Sequence, residues 1–305
     1  MQILILLIFF AIGSLLPVQT SVNSKLAMNM GSALVGAFVS FFVGFAALVI
    51  VLLIQGDAFA SLQGLWADLP WWAWFGGCAG VIGIVCNIAI FPKIGSVQTV
   101  LLPMLGQMLS GVLIDTFGWF DVPAHELDVM RLGGIALVVL GILLVVLRKE
   151  HSAANCKRPW FWRFCGLFAG IMFGLQPSLN GKLCMATGSA VQASIISCAT
   201  GAFVLLVLIL LFKQHRCQLP QLVKGKSPWW TWCGGLIGAS SVLFSAAWVS
   251  SIGVSLLVIT SNFGMLVCSL LIDHFGWMGA TQRKATLLRV LGLVSVLAGI
   301  VMMNL

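Results

Sequence analysis

Gln19 and Asn23 stand four residues apart inside an apolar run, so a helix there would carry both amides on one face. Gln176 and Asn180 repeat the pair 157 residues later, again among apolar neighbours. Pro17 and Pro177 lie beside them, where each removes a backbone donor and can open a helix. Exposed carbonyls next to two amides would make a neutral hydrogen-bonding surface for a small solute. The competing use of such amides is to tie one helix to the next, and spacing alone leaves both uses open. Asn87, Gln98 and Gln107 add polar groups to two further apolar runs of the first half, with Pro103 set to kink the second of them.

Chemistry of a catalytic kind is not visible. There is no nucleophile–base pair, no paired carboxylate and no metal-ligand cluster, so no catalytic residue, metal or cofactor is expected and the chain does not read as an enzyme. The four His residues, at 125, 151, 215 and 274, fall in loops or at the ends of apolar runs. The nine Cys residues form no C-x-x-C pair, and most, such as Cys78, Cys86, Cys198 and Cys268, sit in apolar stretches as small hydrophobes. No acid falls in the middle of an apolar run, which disfavours a proton relay centred on a buried carboxylate.

Asp115 and Asp273 stand at run ends, and each is followed sixteen residues later by an Arg, Arg131 or Arg289, at the start of the next run. A salt bridge tying adjacent run ends is the expectation. A gate or ion-coupling role, or a solvated turn, are the alternatives. The Gly clusters at 76, 77 and 80 and at 234, 235 and 238 lie within hydrophobic runs, where small residues let helices approach closely, and not between a strand and a helix where a phosphate loop belongs.

The elements that must position these groups follow from composition. Of 305 residues, 60% are hydrophobic and 8% charged, and the mean hydropathy is +1.10. A soluble domain carries about 25% charged residues, so a soluble enzyme, a nucleic-acid-binding domain and a disordered chain are set aside. The net charge of +8 is spread between apolar runs and forms no patch, so no nucleic-acid partner is expected. A membrane helix needs about 20 apolar residues. Ten runs of that kind cover 3–22, 32–54, 71–91, 95–117, 130–148, 161–181, 190–212, 229–249, 253–272 and 287–304. The first has no basic n-region and no clear cleavage site, and reads as a mature helix. Trp71, Trp72 and Trp74, Trp160 and Trp162, and Trp229, Trp230 and Trp232 mark run ends, as interfacial aromatics do. With ten crossings, fourteen of the sixteen Lys and Arg residues fall on one side and only Arg131 and Lys182 on the other. The positive-inside rule makes the fourteen cytoplasmic and both termini non-cytoplasmic.

The chain also repeats itself. Residues 13–44 match 170–201 with 12 identities in 32 positions, including Gln19/Gln176, Asn23/Asn180, Lys25/Lys182 and the Gly-Ser-Ala runs at Gly31 and Gly188. Residues 70–119 match 228–277 with 18 identities in 50, including the Pro-Trp-Trp openings at Pro70 and Pro228 and the Leu-Ile-Asp-x-Phe-Gly-Trp runs ending at Trp119 and Trp277. Two repeats, 1–150 and 151–305, would hold five crossings each. Five is odd, so the second must enter the membrane upside down. Inverted repeats recur in secondary transporters, whose halves exchange conformations across the bilayer.

At this point the sequence resembles the drug/metabolite transporter superfamily, and within it the YdcZ-like bacterial inner-membrane group. The residues that carry the likeness are Gly13 to Asn23, Ser40-Phe41, Gly106-Gln107 and Asp115 to Trp119. The resemblance covers essentially the whole chain. It implies an all-α integral membrane protein of ten transmembrane helices in two inverted five-helix repeats, in the bacterial inner membrane, exporting a small metabolite or drug by alternating access. A non-transporting assembly or sensor protein is the alternative. The partners it implies are a small-molecule substrate and the lipid bilayer, with a homodimer left open. It also makes Asn87, Gln107 and Asn262 candidates for the lining of a central cavity, beside Gln19, Asn23, Gln176 and Asn180. The second half departs from the pattern, with Met265 where the first has Gln107 and Ser245 where it has Asn87.

Overall fold

The computed structural model describes residues 2–56, 69–146, 159–220, 227–275 and 286–303, and the elements among them are helical. They are α1 (Gln2–Met30), α2 (Ala33–Gln55), α3 (Gly76–Phe117), α4 (Val129–Val146), α5 (Pro159–Thr187), α6 (Ala190–Leu211), α7 (Gly234–Ile252), α8 (Val254–Phe275) and α9 (Leu287–Met303). Short 3-10 turns at Trp71–Phe75 and Trp229–Trp232 lead into α3 and α7.

Five of the described segments are long and apolar enough to cross a membrane: Ile3–Met30, Ala33–Gln55, Ala190–Leu211, Trp229–Ile252 and Val254–Ile272. Trp71–Asn87, Leu102–Phe117, Val129–Leu144 and Leu287–Met303 are shorter apolar helices. Large apolar side chains such as Leu4, Phe42, Ile54, Phe203 and Val301 are exposed, as lipid-facing side chains would be. This is the helical, apolar construction of an integral membrane protein.

Three helices bear on the sequence reading. The runs 71–91 and 95–117 are joined in α3, a continuous 42-residue helix. Its axis is nevertheless not straight. A Cβ placed on Gly166 would lie 3.1 Å from Ile90 Cδ1 and 3.0 Å from Leu102 Cβ. Twelve residues of straight helix would hold those two positions about 18 Å apart, so α3 folds back between them. Pro17 and Pro177, by contrast, do not end α1 or α5, which run through them as 29-residue helices. Each proline leaves the helix without one backbone N–H donor.

The chain divides into two compact units. The first is Met1–Pro17, Cys86–Gly174 and Ile252–Leu305, and the second is Val18–Val85 and Leu175–Ser251. Each draws on both sequence repeats, and α1 and α5 leave the first unit at Pro17 and Gly174, which are equivalent residues of the repeat.

Within the first unit glycines set the packing. Gly13 lies against the Ser261 carbonyl, and Gly264 against Phe10 and Ser14. The repeat-equivalent contacts are also present, with Gly170 against Pro103 and Gly106 against Leu167 and Ile171. Gly141 meets Gly292 and Val296, while Gly299 meets Gly134 and Val138, so α4 and α9 run antiparallel. A side chain at any of these glycines would separate the backbones, which is why small residues mark the contacts.

Within the second unit α2 packs along α6. Leu48, Leu52, Val191, Ile195, Cys198 and Ala239 form one buried cluster, and Leu26, Met30, Val35, Val39 and Ile209 another. The repeated Gly-Ser-Ala runs have a shared structural use. Gly31 and Gly188 both adopt φ +68°, a left-handed turn that suits glycine. The following serines cap the next helices: Ser32 Oγ accepts from Val35 N at 3.3 Å and Ser189 Oγ from Gln192 N at 3.4 Å.

Candidate functional site

The four amides of the Gln-x-x-x-Asn pairs all belong to the second unit. Asn23 and Gln19 face the glycines that open α7: a Cβ on Gly234 would collide with Asn23 Oδ1, and one on Gly238 would approach Gln19 Nε2 to 2.6 Å. Asn180 and Gln176 face the start of α3 in the same way, Asn180 Oδ1 against Gly76 and Gln176 against Gly80. Two amide-on-glycine ladders thus recur at repeat-equivalent positions. Each pairs a helix of one sequence repeat with a helix of the other. With no side chain in the way, each glycine lets an amide come close to its backbone, Asn23 and Asn180 by their oxygens and Gln19 by its nitrogen.

The ladders differ in how well their polar atoms are satisfied. Asn23 Nδ2 donates to Ser40 Oγ at 3.3 Å, while Asn23 Oδ1 has no partner among the described residues. Asn180 is 1% exposed, and neither its Oδ1 nor its Nδ2 has a hydrogen-bond partner among the described residues. Ser197, the repeat mate of Ser40, is also buried with its Oγ unpartnered, and its carbonyl lies against Gly77. Burying an amide without partners costs about 1–3 kcal/mol per lost bond. The Asn23–Ser40 bond ties α1 to α2, and Asn180 makes no such bond among the described residues. Ser40, Ser197 and Gly77 did not stand out in the sequence as site residues. The signal was there, because Ser40 and Ser197 are identical residues in the aligned repeats.

The remaining cavity candidates lie in the first unit. Asn262 is 4% exposed with Nδ2 unpartnered, and Asn87 Oδ1 is buried and unpartnered among the described residues. The Gln107 carbonyl accepts from Ser110 Oγ at 3.0 Å where Gly174 of α5 packs. The Gln98 side chain lies outside the described residues.

Asp115 forms a second polar centre in the first unit. It is 1% exposed, and its two oxygens are fully engaged. Oδ1 accepts from Val254 N at 2.7 Å, and Oδ2 accepts from Ser255 N at 2.8 Å and from Arg131 Nη2 at 3.0 Å. Val254 and Ser255 open α8 directly after Gly253, whose φ of +79° makes the one-residue break between α7 and α8. The carboxylate therefore caps the positive end of α8 while pairing with a guanidinium. Arg131 also reaches Ser255 Oγ at 3.4 Å. Sixteen-residue spacing pointed to Arg131. Nothing local in the sequence pointed to Val254 and Ser255, some 140 residues away. The Asp273 side chain lies outside the described residues, and Arg289 stands in the first turn of α9.

Comparison with known proteins gives three findings. A family model described as "Putative inner membrane exporter, YdcZ" matches the chain twice, over residues 4–144 and 161–302. The inner membrane protein YdcZ of Escherichia coli (strain K12) is 26% identical over 147 residues, which is 48% of this chain and 97% of that protein. One copy of that relative thus corresponds to about half of this chain. A solved crystal structure of a protein with 14% identity superposes with a TM-score of 0.70 over 98% of this chain and 94% of its own, a likeness of fold alone.

Proposed function

The chain belongs to the YdcZ family of inner-membrane exporters, and from that premise we propose that it moves a small metabolite or drug across the inner membrane by alternating access of two inverted repeats. The family match gives a multi-pass membrane protein with a transport role, in a family of exporters and not of enzymes. The finer reading rests on one observation above all: contacts are exchanged between the repeats. Gly76 on Asn180 has its mate in Gly234 on Asn23, Gly106 on Leu167 in Gly264 on Phe10, and Gly141 on Gly292 in Gly299 on Gly134. Such exchange is what a two-fold relation between halves produces. The equivalent helices α4 and α9 run antiparallel, which favours an axis in the membrane plane and hence inversion. A two-fold arrangement has two equivalent ways to break its symmetry, one open to each face, and that is the physical basis of alternating access.

The ten-crossing topology draws support from which helix ends meet. Ser32, at the start of α2, contacts His215 after α6 at 2.9 Å, so those two ends share a face. Asp115, Arg131 and Val254 bring together the end of α3 and the starts of α4 and α8. Both groupings agree with the alternation of ten crossings. We assign Gln19, Asn23, Gln176 and Asn180 to the solute path, with Asn87, Gln107 and Asn262 as further lining, and Asp115–Arg131 and Asp273–Arg289 as structural pairs at opposite faces.

The test is a comparison of small molecules in cells and medium with and without the protein. A solute that is retained in cells lacking it, leaves when it is restored, and is retained again with an Asn180→Ala variant at normal membrane abundance supports the reading. Identical solute profiles in all three strains contradict it.

A further inference from the structure

We infer that the cargo is a small uncharged solute bearing hydroxyl or amide groups, and that Asn180 and Ser197 select it. The inference rests on the transport reading above and names the substrate class of the same path.

Every residue concerned belongs to the second unit. The Asp, Glu, Lys, Arg and His residues of that unit are Lys25, Lys182 and those of the segments 57–68 and 213–226. The stretches that carry the two ladders, with Ser40, Ser197 and the glycines they meet, have none. Lys25 and Lys182 stand two residues past the asparagines, about 200° round an ideal helix, and so lie on another face from the amides. An ion on this path would exchange its water for neutral amides and hydroxyls with no countercharge on the ladders, which is costly in so apolar a setting. An uncharged solute has only its hydrogen bonds to replace.

Asn180 and Ser197 say which neutral groups. They hold the places on Gly76 and Gly77 that Asn23 and Ser40 hold on Gly234 and Gly235. Asn23 Nδ2 donates to Ser40 Oγ, but the equivalent bond is not made by Asn180 and Ser197. Ser197 also leaves the usual outlet of a buried helical hydroxyl unused. Its neighbours on α6 take that outlet, Ser194 Oγ donating to the Ala190 carbonyl at 2.7 Å and Thr200 Oγ1 to the Ile196 carbonyl at 2.9 Å. Asn180 Oδ1, Asn180 Nδ2 and Ser197 Oγ are thus buried and unpartnered among the described residues. Together they offer an acceptor, a donor and a hydroxyl that can be either. A hydroxyl or amide of the solute, which also donates and accepts, complements all three. A carboxylate brings no donor and an ammonium no acceptor. Both residues are 1% exposed, so the solute meets them when the start of α3 lifts from them.

The experiment uses the full chain, purified and reconstituted into liposomes preloaded with a uniformly labelled pool of small soluble metabolites. Label that leaves is passed through a cation and an anion exchanger in series, which retain solutes with ionised groups and let uncharged ones through. Liposomes with the protein should release an excess over protein-free ones in the uncharged fraction alone. Asn180→Ala and Ser197→Ala should each lower that excess about tenfold at equal protein content. Ser197→Ala should do so with its melting temperature level or raised, because the hydroxyl it removes has no partner to lose. Excess in the retained fraction, alone or beside the other, overturns the uncharged class and leaves transport standing. An uncharged excess untouched by both variants, or a Ser197→Ala variant that melts well below the wild type, overturns the selecting role. No excess in either fraction overturns the transport reading as well.

Discussion

Replacing Asp115 by Ala should be among the most damaging single changes outside the apolar core. The carboxylate is 1% exposed and accepts three short bonds, from Val254 N, Ser255 N and Arg131 Nη2. Its loss uncaps α8 and leaves the Arg131 guanidinium, 12% exposed, without its countercharge. Removing one member of a buried pair costs about 3–5 kcal/mol. Arg131→Ala should cost less, about 1–3 kcal/mol, because the carboxylate keeps both backbone donors and the positive end of α8. Asp115→Asn keeps an acceptor for one backbone N–H and should fall between them. The double Ala variant should be milder than the sum of the single ones by about 1–3 kcal/mol, since no stranded charge remains. Unfolding of the purified protein in mixed micelles, followed by tryptophan fluorescence, gives all four values. An Asp115→Ala variant within about 0.5 kcal/mol of the wild type, or an Arg131→Ala variant that costs more than Asp115→Ala, would refute the reasoning.

Four further outcomes follow from the same geometry. Gly76→Ala and Gly234→Ala each place a methyl on an amide oxygen and should lower stability by about 1–3 kcal/mol in thermal unfolding. Gly188→Ala meets open space within 4 Å and should cost only the strain of its φ of +68°, about 1 kcal/mol. Ser32→Ala and Ser189→Ala each remove a helix cap and should cost about 0.5–2 kcal/mol by the same measurement, the first more because its hydroxyl also meets His215. A C-terminal reporter that fluoresces only in the cytoplasm should stay dark while a C-terminal periplasmic phosphatase fusion is active; the opposite pattern reverses the orientation.

How much of this could be read from the sequence depends on the range of the cause. Apolar run length gave the helices because a membrane span is a local property, and the Gly-Ser-Ala repeats marked two turns whose glycine φ and serine cap are local too. The sixteen-residue spacing pointed from Asp115 to Arg131, because these residues lie at the end of one helix and the start of the next, joined by the short segment 118–128. The capping of Val254 and Ser255 by Asp115 joins residues from different repeats, and no periodicity encodes it. The amide-on-glycine ladders are equally non-local. Their parts, though, were visible as two motifs repeating at nearly one offset, which is the trace that a shared contact leaves. The prolines did not set the helix bounds, since α1 and α5 run through Pro17 and Pro177 as helices continued on either side.

The central claim is that the two halves alternate in opening the amide path to opposite faces. In a background without native cysteines, Asn23→Cys and Asn180→Cys can be probed one at a time with a membrane-impermeant thiol reagent, on intact cells and on inside-out vesicles. Asn180 is sealed here at 1% exposure, so its position reacts only when that end of the path opens. The account predicts that position 180 is reached from the outer face and position 23 from the cytoplasmic face, and that a transported solute raises one reactivity as it lowers the other. Both positions reacting from the same face, or neither reacting in a protein that still transports, would contradict it.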